Sequence, residues 1–148
     1  MTRKLLILLF FLGAFGLHSQ NLIWKTDMND AIMASDSQKR PLLIFFTAAG
    51  APERIQSEIF VTPDFAVWSR DNVILVKLDM SDDSVSDMVK EQNLKLKNAL
   101  GIAELPQVCL LMASVRKGKT TFNNLGLVPY RQGGAKAWIA DANLILNP

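Results

Sequence analysis

Five apolar residues in a row, Leu42-Leu43-Ile44-Phe45-Phe46, follow Pro41 and run into Thr47-Ala48-Ala49-Gly50-Ala51-Pro52. A strand with one solvated face would alternate polar and apolar; this one does not. Such a run fits a strand covered on both faces, which places it centrally in an α/β sheet. Pro52 and Glu53 suit the first turn of a following helix, where a missing N–H costs nothing and an acid is favoured. A strand-to-helix junction of this kind is where α/β proteins gather ligands and reactive groups. Yet Ala48-Ala49-Gly50-Ala51-Pro52 contains no nucleophile, acid or base.

The rest of the chain supplies partners for that strand. Thr26 or Asp27 can cap a first helix, in which Met28, Ala31, Ile32 and Ser35 recur on one side. Residues 52–71 read as one kinked helix or two short ones, since Thr62-Pro63-Asp64 is a second start signal. Val73 to Leu78 is a strand rich in β-branched residues. The polar Ser81-Asp82-Asp83-Ser84 loop leads to a helix over Val85–Leu100, ended by Gly101. Val108 to Met112 and Thr120 to Leu125 form a hairpin across Arg116-Lys117-Gly118-Lys119. A last helix spans residues 133–145, with Ala137, Trp138, Ala140 and Ile145 on its buried side. Strands alternating with helices imply parallel pairing, and the hairpin adds an antiparallel edge. The fold class expected is α/β, a four-stranded mixed sheet sandwiched by about four helices.

Part of the 49% hydrophobic content belongs to a targeting segment. Arg3 and Lys4 precede an uncharged Leu5–Leu12 stretch, followed by Gly13, Ala14 and Gly16, the n-region, h-region and softer tail of a secretory signal. The apolar run from Leu5 to Leu17 has 13 residues, short of the roughly 20 that span a bilayer. Residues 1–19 are therefore expected to leave by cleavage after Ser19, with residues 20–148 as the exported domain. No cysteine sits near the cut to carry a lipid. Removing Arg3 and Lys4 leaves 14 Lys+Arg against 14 Asp+Glu, so the mature domain has no basic excess for nucleic acid and none for a membrane surface. His18, the only histidine, leaves too, and with it any Ser-His-Asp or Cys-His site and the usual zinc sites. Cys109 is the only cysteine, so no internal disulfide can form. Neither a metal nor a cofactor is expected.

With these segments in this order, the chain resembles the thioredoxin-like superfamily over residues 22–146, in particular secreted bacterial thioredoxin-family and disulfide-isomerase-like domains. The resemblance rests on Trp24, Lys39 to Thr47, Glu58 to Phe65, Asn72 to Asp79, Leu100-Gly101-Ile102, Leu105 to Val108, Gly126 to Tyr130 and Ala135 to Ile139. It implies a cis bond at Pro106, facing the redox loop. It also implies a Cys-x-x-Cys eleven and eight residues before Phe60, and those positions hold Ala49 and Pro52. The tetrapeptide Ala49-Gly50-Ala51-Pro52 has no thiol. Leu43 stands where many thioredoxins bury an acidic proton acceptor. Dithiol exchange needs an attacking thiolate and a second, resolving thiol; this chain has neither at that place.

Two functions stay open on the sequence. In the first, the positions Ala48, Ala51, Leu105, Pro106, Gly126 and Leu127 keep the groove in which relatives hold extended substrate, so the domain binds an extended peptide or protein partner as a chaperone-like accessory without redox catalysis. In the second, Cys109 acts alone and a partner supplies the other thiol; against that, a lone cysteine in an apolar strand packs as a small hydrophobe. Asp79, Asp82, Asp83 and Asp87 lack the spacing of a calcium loop and read as a solvated turn. The Arg116-Lys117-Lys119 tip reads as charge protecting a sheet edge.

Overall fold

The computed structural model describes residues 22–148. The expected signal segment, residues 1–19, and His18 lie outside the described residues. Helix α1 runs Met28–Gln38 and is capped by Asp27, whose carboxylate accepts from the Asn29 and Asp30 N–H groups. Strand β1, Leu42–Thr47, follows and is buried along its whole length. After the small-residue loop comes a π-helical turn, Gln56–Phe60, and then helix α2, Pro63–Asn72. Strand β2 is Ile74–Asp79 and helix α3 is Asp87–Ala99. Strands β3, Gln107–Arg116, and β4, Lys119–Leu127, form a hairpin before helix α4, Gly134–Leu146.

The sheet order is β2-β1-β3-β4, so the apolar run that opened the reading is an interior strand. Its alternation divides the core into two layers. Leu43 and Phe45 point into a cluster with Val108, Leu110, Phe60, Phe65, Trp68 and Trp138, under α2, α4 and the π turn. Leu42, Ile44 and Phe46 point the other way, into Val76, Leu78, Cys109, Leu111 and Ala31, with α1 and the Leu96–Leu100 end of α3. Each fully buried Leu, Ile or Phe stabilises by roughly 1.5–3 kcal/mol. In the first layer Trp24, Phe45, Phe60, Phe65, Trp68 and Trp138 form a continuous set of ring contacts with centroids 4.7–6.3 Å apart. The order of the elements thus gives the mixed four-stranded sandwich expected, with four α-helices and one π turn among the described residues.

Four details differ from the sequence reading. Among the strand pairs of the described residues, β1–β2 alone is parallel; β3 lies antiparallel to β1, although a helix precedes it. Alternation of strand and helix fixes that a crossover occurs, while the loops on either side of α3 decide the direction of return. Pro52 and Glu53 precede the first helical residues instead of opening a regular helix. The Glu53 carbonyl accepts from Ser57 N, then Val61 N reaches back five residues to Gln56 O. This wider turn lets the successive residues Ile59 and Phe60 both enter the core. Thr62 then ends the turn and caps α2, donating its hydroxyl to Ile59 O and accepting from Phe65 N, so residues 52–71 hold two short helical pieces.

The hairpin is longer than its apolar signal, and Ala140 is exposed while Ala135, Trp138 and Ala142 carry the buried stripe of α4. The hairpin extends because Ser35 and Asp36 of α1 satisfy the edge of β3 that lies beyond the start of β1 at Leu42. The Ser35 hydroxyl accepts from Ala113 N, and the Asp36 carboxylate accepts from Val115 N. At the tip, Lys117 (φ 51°) and Gly118 (φ 74°) are both left-handed, the conformation a two-residue hairpin loop requires.

Candidate functional site

The register places the three groove segments at one end of the sheet. Phe46 pairs with Gln107, so Pro106 enters β3 beside the point where β1 ends at Thr47. Leu127 pairs with Cys109, and Val128 N donates to Val108 O at 2.9 Å, which carries the end of β4 to the same edge. The Leu105–Pro106 peptide bond is cis. Ala48, Ala51, Leu105, Pro106, Gly126 and Leu127 are all half-buried, while Ala49, Gly50 and Pro52 are exposed. Gly126 holds φ at 149°, and a Cβ there would lie 3.3 Å from Ile145 Cγ2. That residue is glycine because α4 crosses close over β4 at this point.

The loop from Ala48 to Pro52 is tied to β2. Ala51 N donates to Ala48 O to close a turn, with Gly50 left-handed at φ 82°. Ala49 N donates to Ser81 Oγ at 2.8 Å. Ser81 itself is held by Asp79, whose Oδ1 accepts from both Ser81 N (2.9 Å) and Ser81 Oγ (2.6 Å). Met80 N donates to Thr47 O at 2.7 Å and completes the anchor. The sequence reading missed Ser81; its only signal was Asp79 two residues before a serine, the spacing of a side-chain-closed turn. On the other flank the Tyr130 hydroxyl donates to Glu58, and the Arg54 guanidinium sits 5.2 Å above the Tyr130 ring. The bond to Glu58 holds the Tyr130 phenol above its usual range. This contact pins the segment after β4 to the π turn, and spacing in the sequence could not have joined residues 72 positions apart.

What the site can do chemically follows from its inventory. Its end of the sheet offers backbone N–H and C=O groups and apolar contact, without a thiol, an imidazole or a buried acid. Leu43 is fully buried in the first layer, and its hydrocarbon side chain can neither accept nor donate a proton. Cys109 is three residues into β3, points into the layer under α1 and is completely buried. Its thiol donates to Asn124 Oδ1 at 3.5 Å. Burial pushes its pKa from 9.0 up to about 11, which disfavours the nucleophilic thiolate.

The acidic residues after β2 are turned to local work. Asp82 accepts from Ser84 N and Oγ, which holds its carboxyl below the usual range, and Asp83 pairs with Lys90 at 3.1 Å. Among the described residues no group of three or more His, Cys, Asp or Glu is placed to hold a metal ion, and no helix is long and apolar enough to cross a membrane.

Comparisons with known proteins agree with this geometry. No family model matches the chain. A curated relative, the thioredoxin-related protein DsbJ of Chlamydia pneumoniae, is 27% identical over 119 residues, covering 73% of this chain and 34% of that protein. The chain thus spans about a third of the length of the relative it matches. Among solved structures, a DsbH oxidoreductase superposes with a TM-score of 0.69 at 18% identity, covering 85% of each chain. A thioredoxin from Thermus thermophilus superposes with a TM-score of 0.62 at 11% identity, covering 85% of this chain and 88% of its own. The chain has the thioredoxin-like fold, and it carries that fold with a single buried cysteine and no Cys-x-x-Cys pair.

Proposed function

We propose that this is an exported thioredoxin-fold protein that binds an extended polypeptide and performs no dithiol exchange. The observation that carries the reading is the convergence of Ala48–Pro52, Leu105–Pro106 and Gly126–Leu127 at one end of the sheet. These segments are half-buried or exposed, and they expose small and apolar groups where a redox protein of this fold would need sulfur. An extended chain laid there gains backbone hydrogen bonds and shallow apolar contact, which bind without a reactive group. Export rests on the basic, apolar and small-residue order of residues 1–19. The competing reading, a thiol protein working through Cys109, is disfavoured by the complete burial of that side chain and its raised pKa.

The test uses a permanently unfolded, alkylated model protein as the ligand and fluorescence anisotropy as the readout. Leu105→Arg and Ala51→Arg should each weaken binding about tenfold or more, since a charge would be forced into a half-buried apolar contact, with the melting temperature little changed. Unaltered binding in both variants would remove the groove from the function. In a parallel insulin-reduction assay, turnover that vanishes in Cys109→Ser would replace the proposal with the thiol reading.

A further inference from the structure

Charge is distributed unevenly along the strand axis. At the end where β1 begins, Arg40 donates to Arg70 O at 2.6 Å and to Val73 O at 3.1 Å, which ties the start of β1 to the end of α2. Leu42 pairs with Leu111, so the hairpin tip Arg116–Lys119 projects past that same end. Lys39, Arg40, Arg70, Arg116, Lys117 and Lys119 gather there against Asp36 and Asp71. With Arg3 and Lys4 set aside the chain has 14 Lys+Arg and 14 Asp+Glu, so six bases against two acids here leave an excess of four acids elsewhere.

Much of that excess lies at the groove. The segments that converge there, residues 47–53, 79–84, 103–107 and 126–130, contain Glu53, Asp79, Asp82, Asp83 and Glu104 and no Lys or Arg. Asp83 is paired with Lys90, but Glu53, Asp79, Asp82 and Glu104 make no ion pair among the described residues. Glu53 follows Pro52 and Glu104 precedes Leu105, so two exposed carboxylates bracket the apolar floor. Asp79 stands one serine away from it, since the Ser81 hydroxyl that it holds accepts from Ala49 N. On the flanking elements Arg54 is engaged by Glu58 at 3.7 Å and by the Tyr130 ring, Arg131 by Asp141, and Lys97 by the Ile102 carbonyl at 2.9 Å. Lys77 on β2 and Lys136 on α4 offset part of the field from outside these segments.

The floor offers backbone bonds as well as apolar contact. The N–H and C=O of half-buried Leu105 take part in no hydrogen bond among the described residues, so a strand laid beside them can use both. We propose, resting on the groove reading above, that the extended polypeptide bound there is a basic one. A short apolar stretch seats against Ala51, Leu105 and Pro106, and lysine or arginine side chains on either side of it reach Glu53, Glu104 and Asp79. A neutral segment makes the same backbone bonds without that gain, and an acidic one is repelled by the rim. The basic pole at the other end of the sheet repels the same ligand and turns it toward the groove.

The experiment is fluorescence anisotropy on the full-length chain with peptides that share one apolar centre and are flanked by lysine, by serine or by glutamate, each carrying an uncharged dye. The lysine-flanked peptide should bind about tenfold more tightly than the serine-flanked one, and the glutamate-flanked one more weakly still. The advantage should shrink severalfold between about 20 mM and about 200 mM salt. Glu53→Gln with Glu104→Gln, both at exposed positions, should bring the lysine-flanked peptide to within about threefold of the serine-flanked one. Asp71→Asn with Glu91→Gln removes the same charge away from the groove and should leave the preference in place. Equal binding of the lysine- and serine-flanked peptides overturns the charge selection while the groove reading stands; binding of none of the peptides overturns both. A preference lost equally in the Asp71 and Glu91 variant would assign it to net charge. Self-association abolished by Glu53→Gln with Glu104→Gln would make the occupant the basic end of a second copy. Either result overturns the proposal.

Discussion

Modification of Cys109 in the native protein separates a packed thiol from a working one. The perturbation is a maleimide or disulfide reagent at pH 7.5, with and without 8 M urea (about that concentration, enough to unfold a domain of this size). A thiol of pKa 9.0 is about 3% thiolate at that pH, whereas one at about 11 is about 0.03%. If small fluctuations admit reagent while the side chain keeps its surroundings, native labelling is therefore about a hundredfold slower than in urea. If access needs β3 to leave its place between β1 and β4, opening approaches global unfolding. At a stability of even about 5 kcal/mol the open fraction is about 10⁻⁴, and labelling slows about ten-thousandfold.

Expected slowing therefore falls between these two limits. Native labelling within tenfold of the unfolded rate would refute the burial of Cys109 and revive its role as a reactive group. The same shift sets a stability-versus-pH dependence. Between about pH 9 and pH 11 the folded thiol stays protonated while the unfolded one ionises, so the folded state binds more protons and stability falls as pH rises. The contribution is complete below about pH 9, is at most about 3 kcal/mol, and should be absent from Cys109→Ala.

Two further outcomes test how the frame is held. The Asp36 carboxyl lies below its ordinary value, chiefly because it accepts from Val115 N and then because of Lys39. Its stabilisation is present above about pH 4 and is lost as pH falls through the lowered value; Asp36→Ala should flatten that limb of a pH-melting series and speed hydrogen exchange at Val115. Gly133 holds φ at 123°, and a Cβ there would meet Ala137 Cβ at 2.9 Å, so Gly133→Ala should lower stability by more than about 1 kcal/mol in urea unfolding. An unchanged midpoint would mean that the start of α4 is not so constrained.

Much of the molecule was legible in the residues because the signals were local. The apolar run Leu42–Phe46 could be satisfied only between two layers, and Asp27, Thr62 and the Lys117-Gly118 tip each announced an end or a turn through their own hydrogen bonds or backbone preference. The absence of thiols near Ala49–Pro52 was a matter of composition and needed no coordinates. The stripe of α4 was less legible: alanines recur through it, and only packing against Phe60, Phe65 and Trp68 shows that Ala135 and Ala142 face inward while Ala140 does not. The π turn was hidden for the same reason, since Ile59-Phe60 gives no periodicity to show that both are buried.

The sequence alone determined which segments had to be covered, where they stop, and that no dithiol chemistry could occur at the end of β1, because burial preference, capping and reactivity belong to individual residues and their near neighbours. Only the tertiary structure decided that β3 runs against β1, that Ser81 holds Ala49, and that Glu53, Asp79 and Glu104 gather at the groove while Arg40 and Arg116 gather at the other end. Those facts depend on which distant groups meet across the sheet, and a one-dimensional pattern holds no record of direction or of contact between residues far apart in the chain.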